Sequence, residues 1–255
     1  MMLNPNNNSS CSMCKDRKFY NCVRNKCIHK SYAKSLVGAL ESFYWWKRKI
    51  YADIDVIICP SAFMKQMLDT ECEIKNKTIV LHNPLPSNGK RNVNGGKYVL
   101  YFGRYSIEKG IRTLLSVAHE NLDIQFVFAG SGPLKSEVTG TNIMDVGFLS
   151  GDRLTELVQS ASLTVCPSEW YENCPMSVLE SIAAGTPVLG ANIGGIPELI
   201  VSGKNGELFE SGNRIDLSRK LRVMLNNNYD CSYDTNIITD IATHCNTLVN
   251  RIYNS

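Results

Sequence analysis

Beyond residue 96 the chain alternates short apolar runs with stretches that have the spacing of amphipathic helices. The strand-like runs are Tyr98–Phe102, Ile124–Ala129, Ile143–Val146, Leu163–Cys166 and Val188–Gly190. The residues at i, i+3, i+4 and i+7 of the first helix-like stretch are Ile111, Leu114, Leu115 and Ala118. Strands that are apolar throughout are buried on both faces, and the helices between them cover those faces. The pattern predicts an α/β fold with a doubly wound parallel sheet.

The chain before this region has a different organisation. Helical spacing runs over Lys30–Tyr51, strand-like residues occupy Ala52–Cys59 and Thr78–His82, and Ser61 is placed to cap a helix that ends near Leu68. The stretch 83–96 is rich in Pro, Gly and Asn, which favour turns, so we interpret it as an interdomain hinge.

These patterns predict four segments. They are a Cys-rich irregular segment (1–29), part of an N-terminal domain (30–88), a complete C-terminal domain (89–228) and a C-terminal segment (229–255) whose helix, around 236–253, returns to the first part of the chain.

Charge and hydropathy exclude several classes of protein. With 27 Lys and Arg against 24 Asp and Glu the net charge is +3, which is too mild to indicate a nucleic-acid partner. No apolar run approaches the roughly 20 residues of a membrane span. Residues 1–10 lack the basic and apolar regions of a signal peptide. We therefore expect a cytoplasmic enzyme.

Four cysteines lie within seventeen residues near the start of the chain. They are Cys11, Cys14, Cys22 and Cys27, with the spacing C-x2-C-x7-C-x4-C. Four thiolates can hold one tetrahedral zinc ion, although the seven-residue gap is not a standard ribbon spacing. The alternatives are reduced thiols, or two disulfides in an oxidising compartment.

Two cations follow the first predicted strand of the C-terminal region. Ser106 is predicted to cap the next helix, which puts Lys109 in its first turn, and Arg104 lies just before. Ligands of such sheets bind beyond the carboxyl ends of the strands, where cations and free N–H groups suit a diphosphate. The alternative is a solvated arginine beside a surface pair of Glu108 and Lys109.

A Gly-Ser-Gly sequence, residues 130–132, follows the next strand. It resembles half of a dinucleotide fingerprint, but position 135 is Lys where the full motif needs Gly. A tight turn is its default meaning, although glycine also allows backbone to approach a ligand closely. The missing third glycine argues against a dehydrogenase.

In the stretch 168–187, Glu172 and Glu180 lie on either side of a predicted helix start. Pro175 at the first helical position and Gly185 just past the end bracket about three turns. Glu172 lies in the preceding loop and Glu180 about five residues into the helix, roughly 7 Å along its axis. A sugar joined through a diphosphate to a ribose offers groups for both. Alternatively, the negative charge of Glu172 stabilises the helix dipole at the helix start, and Glu180 is simply exposed to solvent.

These stretches together resemble the family 4 retaining glycosyltransferases, which have the GT-B fold of two Rossmann-like domains around a cleft. The matching sequence segments are GRYSIEKG (103–110), FAGSGPL (128–134), GFLSGDRL (147–154), residues 167–200 and GELF (206–209). The resemblance implies a GT-B-like chain with a complete C-terminal Rossmann-like domain and a partial N-terminal domain.

The resemblance also implies roles for individual residues. Glu172 and Glu180 are the two acids of the family's E-x7-E motif, with Glu172 at the donor sugar and Glu180 at the ribose hydroxyls. Arg104 and Lys109 bind the donor diphosphate and, with Glu172, form the catalytic set. The implied donor-binding residues are Gly103, Gly130, Gly132, Phe148, Leu149, Asn173, Cys174, Pro175, Met176 and Glu180.

The implied reaction moves a sugar from a UDP-, GDP- or ADP-linked donor to a glycan or lipid-linked acceptor. The anomeric configuration is retained, and no cofactor is required. Aromatic residues at 43–46 followed by three cations at 47–49 suit either a peripheral contact with the inner face of the cytoplasmic membrane or packing against further protein.

The sequence also departs from the family. Members carry a whole N-terminal domain with a histidine near the sugar, whereas His29 and His82 do not match that context and only about 88 residues precede the hinge. We therefore expect a donor half and part of an acceptor half, with a partner chain supplying the rest as one hypothesis. The alternatives are an inactive sugar-nucleotide-binding remnant and a zinc-stapled interaction module.

Overall fold

The computed structural model describes residues 2–3, 10–11, 13–69, 74–85, 96, 98–231 and 239–250. These residues divide into two compact units. The first comprises Met1–Ile57 and Gln66–Ile79, and the second comprises Ile58–Lys65 and Val80–Ser255. Most of the predicted hinge, residues 86–95, lies outside the described residues.

The strands are β1 Met2–Leu3, β2 Ser10–Cys11, β3 Ile57–Cys59, β4 Thr78–Val80, β5 Val99–Arg104, β6 Phe126–Ser131, β7 Ile143–Asp145, β8 Leu163–Cys166, β9 Val188–Ala191 and β10 Gly206–Phe209. The helices are α1 Tyr20–Arg24, α2 Tyr32–Lys47, α3 Ala62–Leu68, α4 Ile111–Glu120, α5 Asp152–Gln159, α6 Met176–Ala183, α7 Arg214–Leu225 and α8 Ile241–Leu248. Single 3-10 turns lie at Lys15–Arg17, Ile50–Asp53, Ile107–Lys109, Lys135–Glu137 and Ile196–Glu198.

The second unit is built on a six-stranded sheet with the order β10-β9-β8-β5-β6-β7, and its ladders are parallel. Counted from β5, this order is 6-5-4-1-2-3, which is the doubly wound Rossmann arrangement. The strand order reverses between β5 and β8. The prediction of a doubly wound α/β fold is confirmed.

Both faces of this sheet are covered, as the apolar strands predicted. Along β5, Val99 and Tyr101 enter one hydrophobic cluster, whereas Leu100 and Phe102 enter another on the opposite face. Alternate residues of a strand point to opposite faces, so the split follows from strand geometry. Helices α4, α6 and α7 supply much of the first cluster, and Val158 of α5 joins the second.

The segment predicted to be irregular, 1–29, contains β1, β2 and α1 among its described residues, and two further differences concern β3 and β10. The strand predicted over Ala52–Cys59 is only β3, because Ile50–Asp53 forms a 3-10 turn after Lys49 adopts a left-handed conformation at φ 50°. The edge strand β10 was not predicted as a strand. Its four residues, Gly-Glu-Leu-Phe, carry only two apolar side chains, and it pairs with β9 alone. Short edge strands give the weakest sequence pattern.

The first unit contains α2, whose buried residues are Ser35 and Ala39. Its large apolar side chains are mostly exposed, including Val37 at 65% and Leu40 at 59%. Ser31 caps the helix by accepting a hydrogen bond from the Lys34 N–H. Within the described residues, no helix combines the length and apolar character needed to cross a bilayer.

The helix α4 begins where two backbone segments of the second unit nearly touch. Gly110, at the α4 N-cap, has φ +69°, and a Cβ there would lie 1.8 Å from the carbonyl oxygen of Pro167. Pro167 follows β8, so this glycine lets the turn after β5 pack against the loop after β8.

We predict that Gly110→Ala destabilises the fold by on the order of 3 kcal/mol or more, because overpacking adds to left-handed strain. Gly203→Ala is the matched control. Gly203 has φ +78° with no atom within 4 Å of its Cβ position, so only about 1 kcal/mol of strain is expected there. Urea denaturation of both variants measures the difference, and equal losses would contradict the close approach at Pro167.

Candidate functional site

The site arises from a separation of two strands in the middle of the sheet. β5 pairs with β6 over six residues but with β8 over two, Val99 with Leu163 and Leu100 with Thr164. Beyond these pairs β5 and β8 diverge towards their carboxyl ends. In open α/β sheets ligands bind in this crevice, where the strand order reverses.

A cavity of about 420 Å³ occupies the crevice. Its walls come from β5, β8, the loop after β8 and the first turns of α6. The lining residues are Tyr101, Phe102, Gly103, Arg104, Lys109, Val165, Cys166, Pro167, Ser168, Glu172, Cys174, Pro175, Met176, Ser177 and Glu180. The cavity therefore brings together the cations and carboxylates that the sequence analysis singled out.

Lys109 and Glu172 form an ion pair in this cavity. Lys109 Nζ lies 2.5 Å from Glu172 Oε1, and the Ser168 hydroxyl donates to the same oxygen at 2.7 Å. The side chain of Glu172 is 14% exposed and that of Lys109 is 37% exposed. No described residue donates to Glu172 Oε2. Glu172 is thus held through one oxygen, and the described residues leave the other without a donor.

The two cations reach the cavity differently from the predicted arrangement. Ser106 does not cap α4: its side chain donates to Glu108 Oε1 instead, and Gly110 takes the N-cap position. Lys109 therefore ends a separate 3-10 turn rather than entering the first turn of α4. Arg104 ends β5 with an exposed side chain, and among the described residues no carboxylate pairs with it.

Glu180 lines the cavity from the middle of α6, about five residues into the helix, as its position in the sequence predicted. It is the fifth residue of the helix, and Gly185 follows the helix at φ +71°. Burial raises the pKa of the Glu180 carboxyl. Within the part of the chain that the structure describes, its carboxylate has no hydrogen-bond partner. A half-buried carboxylate without a partner that faces a cavity is suited to accept hydrogen bonds from hydroxyl groups of a ligand.

The loop that carries Glu172 rests on a glycine turn after β9. The Gly195 N–H donates to the Glu172 carbonyl at 2.6 Å, and a Cβ on Gly195 would lie 1.8 Å from the Asn173 carbonyl oxygen. Three residues further, Glu198 caps α3 by accepting from the N–H groups of Ala62 and Phe63, each at 2.7 Å. The Gly195 contacts hold the backbone of the loop that carries Glu172, and the Glu198 contacts hold the start of α3.

Five of the predicted donor-binding residues line the cavity, and the others do not. Those at the cavity are Gly103, Cys174, Pro175, Met176 and Glu180, and those outside its lining are Gly130, Gly132, Phe148, Leu149 and Asn173. A Cβ on Gly130 would lie 1.9 Å from the Gly103 carbonyl oxygen, so that glycine allows β5 and β6 to approach closely at their carboxyl ends. Pro175 is the N-cap of α6 rather than its first helical residue.

Two of the cavity residues that were not predicted from the sequence lie at or just after the end of β8. Ser168 is 1% exposed and contacts Glu172, and Cys166 forms part of the wall. Burial raises the pKa of the Cys166 thiol to about 12, with the charge of Glu172 adding to the effect, so this cysteine stays protonated at neutral pH. A signal for Ser168 existed in its position directly beyond an apolar strand.

The four clustered cysteines lie in the first unit, and each is half-buried. Burial and the proximity of Cys27 raise the pKa of Cys22 to about 11. Across the described residues, no group of three or more His, Cys, Asp or Glu side chains is arranged to hold a metal ion. Zinc binding by Cys11, Cys14, Cys22 and Cys27 remains a hypothesis from spacing.

We predict that Glu180→Gln melts at a higher temperature than the wild type near neutral pH. The raised pKa of Glu180 means that ionisation costs the folded state free energy, so the advantage of the variant should shrink as the pH falls towards about 4, where both states are protonated.

Glu137→Gln is the control for this measurement. The hydrogen bond from Arg112 lowers the pKa of Glu137, so that carboxylate stabilises the fold at neutral pH and loses its effect as the pH falls. Thermal melting of both variants across this pH range should give opposite signs. A Glu180→Gln advantage that does not change with pH would contradict the assignment.

Known proteins share this fold and part of this sequence. An uncharacterised glycosyltransferase of Methanocaldococcus jannaschii is 29% identical over 209 residues, which cover 78% of this chain and 58% of that protein. Sulfoquinovosyl transferase SQD2 of Arabidopsis thaliana is 37% identical over 134 residues, covering 50% of this chain and 26% of that protein.

Among solved structures, Anabaena Alr3699/HepE in complex with UDP has a TM-score of 0.66 and 17% identity, covering 79% of this chain and 64% of that one. At this identity the likeness shows a shared fold. The chain spans less than two thirds of the length of each of these three proteins. Residues 87–239 match the family described as "Glycosyl transferases group 1". That match covers more than half of the chain and every residue of the cavity, and the chain therefore belongs to the group 1 glycosyltransferases.

Proposed function

We propose that this chain transfers a sugar from a nucleotide-sugar donor to a glycan or lipid-linked acceptor and retains the anomeric configuration. The observation that carries the proposal is the cavity between β5 and β8, which combines two cations with two carboxylates. A nucleotide sugar offers an anionic diphosphate between two groups of hydroxyls. Its chemistry matches the charges of the cavity.

Each side chain takes the role that its position supports. Arg104 and Lys109 lie at the carboxyl end of β5 and in the turn after it, where they bind the diphosphate. Glu180, on α6, accepts from the ribose hydroxyls. Glu172 accepts from a hydroxyl of the donor sugar through Oε2. The backbone near Gly147, which donates to Asp145 Oδ1 at 2.9 Å, contacts the base.

The reaction breaks the bond between the anomeric carbon and the oxygen of the β-phosphate. The bonding electrons leave with the nucleoside diphosphate, where the charges of Arg104 and Lys109 stabilise the developing negative charge. The acceptor hydroxyl then adds to the same face of the oxocarbenium-like centre. Its proton passes to the departing phosphate oxygen, so that atoms and charge balance without a further reactant.

Proteins of related fold support the choice of ligand. Alr3699/HepE of Anabaena has been crystallised with UDP, with UDP and glucose, and with UDP-glucose. For the acceptor, exposed Phe43, Tyr44 and Trp45 of α2 beside Lys47 support the lipid-linked class and a peripheral contact with the membrane that carries it.

We predict that one of UDP, GDP or ADP binds, and that Arg104→Ala weakens its binding tenfold or more, about 1.4 kcal/mol. The loss is expected because the guanidinium has no described protein partner and its charge is free for phosphate. Calorimetric titration of the purified chain measures the affinity. Arg112→Ala is the matched control, since Arg112, on α4, pairs with Glu137 outside the cavity and its loss should leave the affinity unchanged.

A folded chain that gives no heat with any nucleotide or nucleotide sugar would contradict the donor site. Binding without release of nucleoside diphosphate, in the presence of glycan and lipid-linked acceptors, would instead support the inactive remnant. Where product forms, the proton coupling at its anomeric carbon distinguishes retention from inversion.

A further inference from the structure

We propose that Ser168 is a positioning residue that keeps Glu172 directed at the donor sugar once the diphosphate has bound. The proposal rests on the proposed function, in which Glu172 contacts the sugar and Lys109 the diphosphate. It assigns a role to a buried hydroxyl whose only side-chain partner among the described residues is Glu172.

Lys109 alone holds Glu172 poorly when a donor is present. Its side chain is 37% exposed and carries a flexible four-carbon stem, and the same ammonium is needed at the diphosphate. A diphosphate bears more negative charge than one carboxylate and therefore competes for Lys109. As Lys109 turns towards the phosphate, its hydrogen bond to Glu172 Oε1 weakens or breaks.

Ser168 is not subject to this competition. Its hydroxyl is neutral and buried. Ser168 lies in the loop after β8, the same loop that carries Glu172. With a single proton to donate, it lies 2.7 Å from Glu172 Oε1 and 3.3 Å from the Glu108 carbonyl oxygen. The shorter contact to a charged acceptor is the stronger bond, so the proton points at Glu172.

Ser168 itself sits on a fixed backbone. Its carbonyl accepts from the Ser211 hydroxyl at 2.9 Å, and the next residue, Glu169, donates its N–H to the Glu108 carbonyl at 3.0 Å. The Glu172 backbone is likewise held by Gly195. With both backbones fixed, the remaining freedom is rotation of the Glu172 side chain, which the Ser168 hydroxyl restricts. Oε2 then stays free and directed into the cavity.

The test compares Ser168→Ala and Ser168→Cys with the wild type in the full chain. The cysteine variant keeps the size of the side chain and replaces the hydroxyl with a weak donor. Both variants should lose turnover of the nucleotide sugar tenfold or more, while their affinity for the nucleoside diphosphate without sugar stays within twofold of wild type. If Ser168 had a purely structural role, turnover and affinity for the nucleoside diphosphate would fall together.

Ser35→Ala is the matched control, because it also removes a fully buried serine hydroxyl, one that accepts from the Ile28 N–H in the first unit and does not line the cavity. Its turnover should stay within twofold of wild type. Wild-type turnover in Ser168→Cys would overturn the proposal, as would an equal loss of turnover in Ser35→Ala.

A second measurement needs no activity. Ser168→Ala should lower the melting temperature of the wild type by more than it lowers that of Glu172→Ala, because the bond it removes is already absent there. Equal shifts in both backgrounds would overturn the contact. If the wild type turns over no donor, the proposed function fails, and this melting comparison still decides whether Ser168 holds Glu172.

Discussion

The candidate site depends on one feature of the sheet, namely that β5 and β8 stop pairing after Leu100 and Thr164. In a doubly wound sheet the connections from these two strands run to opposite sides, so the strands separate where the order reverses. Arg104 reaches the site because β5 continues past the last pair. Cys166 forms part of the wall because β8 ends there.

The loops around this crevice are held by backbone contacts rather than by large side chains. Gly110 touches the Pro167 carbonyl, and Gly195 touches the Asn173 carbonyl, each at a distance that only glycine allows. The segments after β5 and β8 therefore meet at Gly110, and those after β8 and β9 meet at Gly195. Side chains that act on a ligand are most effective when a fixed backbone presents them.

The sequence allowed the fold to be predicted further than the site. Apolar runs and helical spacing located the sheet, because burial on both faces leaves a strong pattern, whereas β10 left too few apolar residues to be recognised. For the site, Arg104, Lys109, Glu172 and Glu180 were predicted, and the structure brings all four to one cavity.

What could not be predicted are the contacts set by tertiary packing. Ser106 looked like a helix cap, but the adjacent Glu108 carboxylate takes its hydrogen bond, and Gly110 occupies the N-cap position. Ser168 carried no motif of its own. Its hydrogen bond to Glu172, four residues later, depends on the conformation of the loop after β8. Sequence spacing alone does not determine that conformation.

Buried strand positions and exposed positions near the candidate site differ in how freely they can be substituted. Part of the cavity wall belongs to β5 and β8, whose side chains also fill the core, so a change in these strands alters stability. Met176, by contrast, is 44% exposed, and Phe148, near the region assigned to the base, is 74% exposed. Substitutions at such positions leave the core intact. The sequence at such exposed positions can therefore vary without loss of core packing, whereas the sequence of β5 and β8 cannot.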